Sequence, residues 1–421
     1  MEGVVKPRVH WVSPLPPART DIAHYTRRIL PALAQATDLT LWTDAPHWDH
    51  SLDDFCPVRW LDPDHITPRD FACAGQPNAR PAPGPQAVFV NIGNAVDFHA
   101  GFLRLIQRIP SIVVLHDMAI QDLCMRAIGE GLLSREVYEN TIAQWHGPDG
   151  LNVVRDVFKG LREVDELTET MPGFEITLAR AVSVLTHTPV VRDAVAATDT
   201  VPTYLADLPF APSDMAPPTS RSALGPLRIV QFGYIGTNRR IHKVLEALAL
   251  LRGEVDFHLD IMGSLWDPDY IALRVEELGL RPWVTLHGFV EETELDRRLR
   301  AAHLVLNLRY PTMGEASGSL MRIWNAGAAA VVTDLGWYAA LPDETVFKIN
   351  HETEMHDLQD LLRRLAADRE AAQRVGTAGR AALEAYHTPA RYAARVAEIA
   401  AHFAKDASAA TYRRCLTAPA P

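Results

Sequence analysis

Short, nearly unbroken apolar runs recur along the chain. The first half carries RVHWV (8–12), LTLW (39–42), AVFVNI (87–92), SIVVLH (111–116) and AVSVLT (181–186). The second half carries LRIVQF (227–232), FHLDIM (257–262), VTLHGF (284–289), HLVLNL (303–308) and AAVVTD (329–334). Runs that are apolar throughout, rather than alternating, predict strands buried on both faces, as in parallel sheets covered by helices. Between them the period lengthens to that of a helix. Ile22, Tyr25, Ile29 and Leu33 share one helical face after Thr20. Ile241, Val244, Leu245 and Leu248 do so after Asn238, a residue type that caps helix starts. The chain thus reads as βαβ units twice over, an α/β protein.

The pattern breaks at LADLPFAPSDMAPPTSRSALGP, where five prolines separate the two strand-rich halves. A second Pro-rich stretch at 75–86 reads as a surface loop. Residues 119–180 show helical patterns without a clear strand, interrupted at HGPDG (146–150) and MPG (171–173). The expected organisation is a first domain at 1–205 with a helical insertion at 119–180, and a linker at 206–226. A second domain follows at 227–385, then a C-terminal helix and tail at 386–421 that could pack back on the first.

Length agrees with that count, because 421 residues at roughly 150 per domain allow two or three. A hydrophobic share of 48% with 22% charged residues excludes wholesale disorder. The net charge of −11 disfavours nucleic acid as a partner of the whole molecule, while leaving room for a local basic pocket. Cysteines at 56, 73, 124 and 415 have no C-x-x-C spacing, so they suggest a reducing compartment and neither a zinc site nor a redox pair. No signal-like leader and no run of about 18 apolar residues is present. The expectation is a soluble cytoplasmic protein, with peripheral contact at the inner face of a membrane left open. The sequence sets no oligomeric state.

The densest chemical cluster is RYPTMGEASGSLMRIWNAGAAAVVTD (309–334). A strand ends, a turn follows, and a helix is predicted from about Ser317 to Ala326, stopped by Gly327. The small residues from Ala316 to Ser319, with Gly318 among them, let a ligand approach free N–H groups at a helix start, which is an anion site. Glu315 stands just before them, where a carboxylate can bind hydroxyls or simply favour the helix start. In QFGYIGTNRRIHKVLEAL (231–248) a strand passes through a glycine turn at Gly236 into a helix carrying Arg239, Arg240 and Lys243. Cations there oppose the helix dipole unless an anion is bound or they form an exposed basic face. It is neither a Walker loop nor G-x-G-x-x-G. In the first half Asn94 and His99, then His116 and Asp117, follow buried strands directly, where open α/β sheets bind ligands. His47 and His50 in HWDH are weak metal candidates and are declined.

In that order and spacing, the clusters resemble retaining glycosyltransferases of family 4, over nearly the whole chain and most strongly at 227–345. The pieces are the basic helix start, IMGS, LHGFV, RYPTMGEASGSLMRIWNAG and VVTDLGWYAALPD, preceded by SPLPPARTDIAHY, GNAVDFH and VLHD. GNAVDFH and VLHD resemble segments of bacterial members that build surface polysaccharides. The resemblance implies the GT-B fold, two Rossmann-like doubly wound domains facing an interdomain cleft. It implies a nucleotide diphosphate-sugar donor as co-substrate, a sugar or lipid-linked sugar acceptor, and no metal or other cofactor. By the match Arg239 or Arg240, with Lys243 and Gly236, meets the diphosphate. Glu315 holds donor-sugar hydroxyls, Ser317, Gly318 and Ser319 support the phosphates, and Phe289 and Val290 touch the base. His116 lies near the reacting sugar, and Asp21, Asn94, His99 and Asp117 stand on the acceptor side. Two departures stand out. Ile323, between Arg322 and Trp324, replaces a second family glutamate that reaches the ribose. Thr20 and Asp21 stand where the opening loop usually offers glycine. A nucleotide-sugar epimerase of the same fold, or a binding subunit without catalysis, are the alternatives.

Overall fold

The computed structural model describes residues 6–75, 86–212, 218, 221–222 and 224–405. Most of the second Pro-rich stretch, much of the 206–226 segment and the tail with Cys415 lie outside the described residues. The described chain forms two compact units. One comprises the described part of 6–211, 313–316 and 387–405; the other comprises the described part of 212–312 and all of 317–386.

The first unit is built on a seven-stranded sheet in the order β3-β2-β1-β4-β5-β6-β7, parallel throughout. Its strands are β1 (Arg8–Val12), β2 (Asp38–Thr43), β3 (Val58–Trp60), β4 (Gln86–Ile92), β5 (Ser111–Leu115), β6 (Ala181–Thr186) and β7 (Thr203–Leu205). The unbroken apolar runs are explained by cover on both faces. Along β4, Val88, Val90 and Ile92 join one core, while Ala87 and Phe89 join the other. The first face is covered by α3 (Val96–Ile106), α4 (Gln121–Gly129), α5 (Arg135–Phe158) and α7 (Pro189–Ala196). Helices α2 (Pro68–Ala72) and α6 (Asp165–Thr170) complete that side. Within 119–180 the helical pattern is realised, and Gly147 at φ 66 kinks α5 at the HGPDG break.

The second face is covered by α1 (Asp21–Ala36) and, from the far end of the chain, α14 (Pro389–Lys405). Thr20 caps α1 by accepting from Ile22 N. Tyr392, Val396, Ile399 and Phe403 of α14 bury against Tyr25, Ile29 and Leu33 of α1, and the Tyr25 and Tyr392 hydroxyls hydrogen-bond. The segment after β7 is not a free linker at its start. Ala206 and Phe210 are buried, Arg28 lies over the Phe210 ring, and Phe210 N donates to His387 O.

The second unit has a six-stranded parallel sheet in the order β10-β9-β8-β11-β12-β13. The strands are β8 (Leu227–Ile235), β9 (Phe257–Leu265), β10 (Val284–Gly288), β11 (Leu304–Asn307), β12 (Ala329–Thr333) and β13 (Phe347–Ile349). The helices are α8 (Ile241–Leu250), α9 (Pro268–Glu277), α10 (Glu292–Ala301), α11 (Gly318–Asn325), α12 (Glu354–Ala367) and α13 (Arg369–Tyr386). Strands β8 and β9 approach so closely at their ends that a Cβ on Gly263 would lie 2.1 Å from Gly233 O. Asn238 does not cap α8, contrary to its residue type. It lies in a single 3₁₀ turn, and Arg240 takes the cap position with φ 59. Strand order reverses between β8 and β11, and between β1 and β4 in the first unit. At such reversals the loops leave in opposite directions and open a crevice beyond the strand ends.

Candidate functional site

In the second unit the reversal brings the starts of α8 and α11 to neighbouring strand ends. Tyr310 N, beyond β11, donates to Asn238 O, beyond β8. Ser317 caps α11 by accepting from Leu320 N at 3.1 Å, and is itself held by Asn307 Nδ2 of β11. Its side chain therefore serves the helix, and what faces outward is backbone. The N–H groups of Gly318 and Ser319 have no acceptor among the described residues, and a Cβ on Gly318 would meet open space. The N–H groups of Ile241 and His242 at the start of α8 are likewise free among the described residues. Four unpaired donors at two helix starts form an environment that suits an anion.

The basic residues divide. Arg239 is buried, its guanidinium turned back to Phe232 O, and Gln231 Nε2 donates to Arg239 O. Arg240 is the partly exposed arginine. Its Nε and Nη2 bind Glu354, and its Nη1 has no hydrogen-bond partner among the described residues. Lys243 is paired with Glu246 at 3.2 Å and half-exposed. Gly236 lies in the turn between β8 and this group, beside the Tyr234 ring. Phe289 and Val290 follow β10, two strands away from β8, and Phe289 is 78% exposed. Ile323 is fully buried on α11, and its neighbour Arg322 pairs with Asp296, so neither supplies a carboxylate toward a ribose.

Glu315 belongs to the first unit with its neighbours 313–316. Its Oε2 accepts from Met313 N at 2.8 Å. That segment is held by Met118 N and Ala119 N donating to Met313 O, and by Thr188 Oγ1 donating to Gly314 O. Gly314, at φ 78, leaves no space for a Cβ, which would lie 2.8 Å from Met118 Cβ.

In the same unit the ends of β4 and β5 gather Asn94, His99, His116 and Asp117. Asp117 Oδ2 accepts from Asn94 N, and Asn94 Oδ1 caps α4 through Leu123 N, so this pair ties loops together. His99 is buried behind Gly93 and donates from Nδ1 to Asn91 O. Asn91 Nδ2 donates to Val12 O, which fixes Asn91 Oδ1 as an acceptor. His116 must then carry its proton on Nε2, 2.9 Å from that oxygen, and Nδ1 keeps its lone pair. Burial, then the neighbouring His187 and His99, hold the His116 pKa well below the ordinary range, so the ring is neutral. Asp21 is exposed at the start of α1, one residue before Ile22, which touches the Gly93 turn.

The structure adds residues that the sequence reading missed. His187 ends β6 against the His116 ring at 4.9 Å, and Tyr25 contacts both. It follows a buried strand just as His116 does, so the same rule would have found it. Glu354 and Tyr310 at the Arg240 site carried no such signal. His50 of HWDH is exposed and paired with Asp53. Among the described residues no helix is long and apolar enough to cross a membrane.

Residues 217–382 match the model of the family "Glycosyl transferases group 1". No curated protein matches the chain. Solved structures align over nearly its full length. HepE of Anabaena, solved in complex with UDP, has a TM-score of 0.58 at 12% identity, covering 94% of this chain and 100% of HepE. The sucrose-phosphate synthase of Thermosynechococcus elongatus has a TM-score of 0.60 at 16% identity, covering 94% and 99%. A glycosyltransferase of Rickettsia africae has a TM-score of 0.58 at 9% identity, covering 98% and 100%. What the chain shares with these proteins is the GT-B fold of two parallel-sheet Rossmann-like domains, and over 217–382 it also matches the group 1 glycosyl transferase pattern.

Proposed function

We propose that this protein is a retaining glycosyltransferase of the family 4 kind. It moves a sugar from a nucleotide diphosphate-sugar to a hydroxyl of a sugar or lipid-linked sugar acceptor, in polysaccharide or glycoconjugate biosynthesis. The observation that carries the reading is the pair of helix starts beyond β8 and β11, whose loops are joined by the bond from Tyr310 N to Asn238 O. Arg240 and four unpaired helix-start donors belong to them, inside the segment that matches the group 1 model. HepE, of the same fold, has been solved with UDP and with UDP-glucose, which favours a nucleotide-sugar donor.

Glycosyl transfer is chiefly a leaving-group problem. Negative charge grows on the diphosphate as its bond to the sugar breaks, and fixed donors stabilise that charge more than the ground state. Arg240, Lys243 and the N–H groups of Gly318 and Ser319 serve this role, and the reading requires no metal. Glu315 accepts donor-sugar hydroxyls, with its carboxylate oriented by Met313 N. His116 Nδ1, neutral and lone-paired, accepts a hydrogen bond from a sugar hydroxyl. The leaving phosphate takes the acceptor proton on the same face, which retains configuration without a dedicated protein base. On this reading the enzyme works in the cytoplasm, and an acceptor that is lipid-linked would be met at the inner membrane face.

The test is a thermal-shift panel of UDP-, GDP-, ADP- and TDP-sugars, followed by a transfer assay with the stabilising donor. Sugar transfer to a hydroxyl acceptor with retained configuration is expected. Conversion of the free donor without an acceptor would mark an epimerase, and binding without turnover would mark a non-catalytic subunit.

A further inference from the structure

Arg240 is held by residues that lie far away in the chain. Nε lies 3.0 Å from both carboxylate oxygens of Glu354, and Nη2 also binds Oε1. Glu354 is buried, and as the first residue of α12 its charge is favoured by that helix start. One face of the guanidinium is covered as well. Cζ lies 5.5 Å from the Tyr310 ring centre, and Tyr310 stacks on His351 at 4.4 Å and 18°. His351 and Glu354 leave the same loop after β13. One loop therefore fixes an edge of Arg240 directly and a face through Tyr310. The backbone of Arg240 is held at φ 59, ψ 21, a region that residues other than glycine seldom adopt. The remaining nitrogen, Nη1, is left without a hydrogen-bond partner among the described residues, and Arg240 directly precedes Ile241 and His242, whose N–H groups are free among those residues.

We infer that Glu354 is a positioning residue of the anion site: it clamps one edge of Arg240 so that the Nη1 edge is presented, already ordered, to a diphosphate oxygen. This rests on the proposed donor-binding role of Arg240. A carboxylate beside a phosphate site offsets part of the arginine's charge, so its benefit has to come through geometry. An unclamped arginine loses rotamer freedom when it binds. A clamped one has lost that freedom on folding, and its fork keeps N–H donors for a second acceptor.

The test is calorimetric binding of UDP, GDP, ADP and TDP to the full chain, using the nucleotide that binds wild type. Variants are Arg240→Ala, Glu354→Ala, the double variant and Glu354→Gln, with circular dichroism to confirm folding. Arg240→Ala and Glu354→Ala should each weaken binding by roughly tenfold or more. The double variant should bind no worse than Arg240→Ala, because the two act as one unit. Glu354→Gln, which keeps one acceptor oxygen, should weaken binding less than Glu354→Ala and covers the case in which the alanine variant does not fold. Unchanged or tighter binding in folded Glu354→Ala, or in Glu354→Gln where the alanine variant does not fold, with Arg240→Ala still weakened, would overturn the positioning role alone. An Arg240→Ala protein that binds like wild type, or a wild type that binds none of the four, would overturn the donor site itself.

Discussion

Replacing Gly376 by alanine probes how α11, which carries half of the proposed anion site, is held in place. Gly376 and Gly379 form the face of α13 that lies on α11 and its exit turn. A Cβ built on Gly376 would come within 2.1 Å of Gly327 O and 3.0 Å of Ala328 C. On Gly379 it would come within 2.2 Å of Trp324 Cδ1. Helix propensity alone favours alanine over glycine by about 0.8–1.0 kcal/mol. Overpacking a tight interface typically costs about 1–3 kcal/mol. At Gly376 the opposing atom is a backbone carbonyl, and Gly327 is fixed at φ 64 as the stop of α11, so the upper end applies. Gly376→Ala should therefore destabilise the second unit by a net ~2 kcal/mol. Gly379→Ala should cost less, since an indole can tilt, although the Trp324 Nε1 bond to Thr345 O is then strained. Ala381→Gly, at an exposed position of the same helix, supplies the propensity difference as a control. Urea unfolding followed by tryptophan fluorescence reads these changes as midpoint shifts at constant slope. A Gly376→Ala protein as stable as wild type, or more stable, would refute the close-packing argument.

Three further outcomes are expected. Arg240→Ala and Glu315→Ala should each abolish sugar transfer while leaving the circular dichroism spectrum unchanged, and wild-type turnover in either would contradict the proposed chemistry. Burial holds His99 and His187 at a pKa of about 4 and His116 well below its ordinary range. The unfolded chain takes up those protons near pH 6.5 and the folded chain does not, so stability is full above about 6.5 and is lost as pH falls toward 4. Stability should drop across that window by up to about 3 kcal/mol per ring, seen as a falling melting temperature, and His187→Phe should flatten the profile. An identical slope in that variant would count against a buried neutral ring. Ser317→Ala removes the α11 cap and should cost about 1–2 kcal/mol in denaturant unfolding, together with weaker nucleotide binding in the same assay.

Much of the framework is local, and so it was legible in the residues. Val88 to Ile92 had to be a strand covered on both faces, because no alternation spares a side for water. Thr20 and Ser317 cap the helices that follow them, and Gly327 ends one, because capping involves only near neighbours in the chain. The edge strands Val58–Trp60, Thr203–Leu205 and Phe347–Ile349 escaped that reading, since three residues with partial cover carry no apolar run. Asn238 was misread for a different reason. A capping preference is worth only about 1 kcal/mol, and here Arg240, paired with Glu354 114 residues away, takes the cap position while Asn238 O accepts from Tyr310 N. The sequence also could not tell Arg239 from Arg240, which differ by one position, yet one is buried with its guanidinium on Phe232 O and the other is partly exposed and held by Glu354. Nor could it bring His187 beside His116 or Tyr392 onto Tyr25, contacts that depend on strand order and on which helix covers which face. What the sequence by itself determined was where the buried strands and most of their covering helices form, and which helix starts are candidates for an anion. Which arginine at the start of α8 is left partly exposed, and what holds it there, was decided only in the tertiary structure, because electrostatic and steric partners are chosen by distance in space and not along the chain.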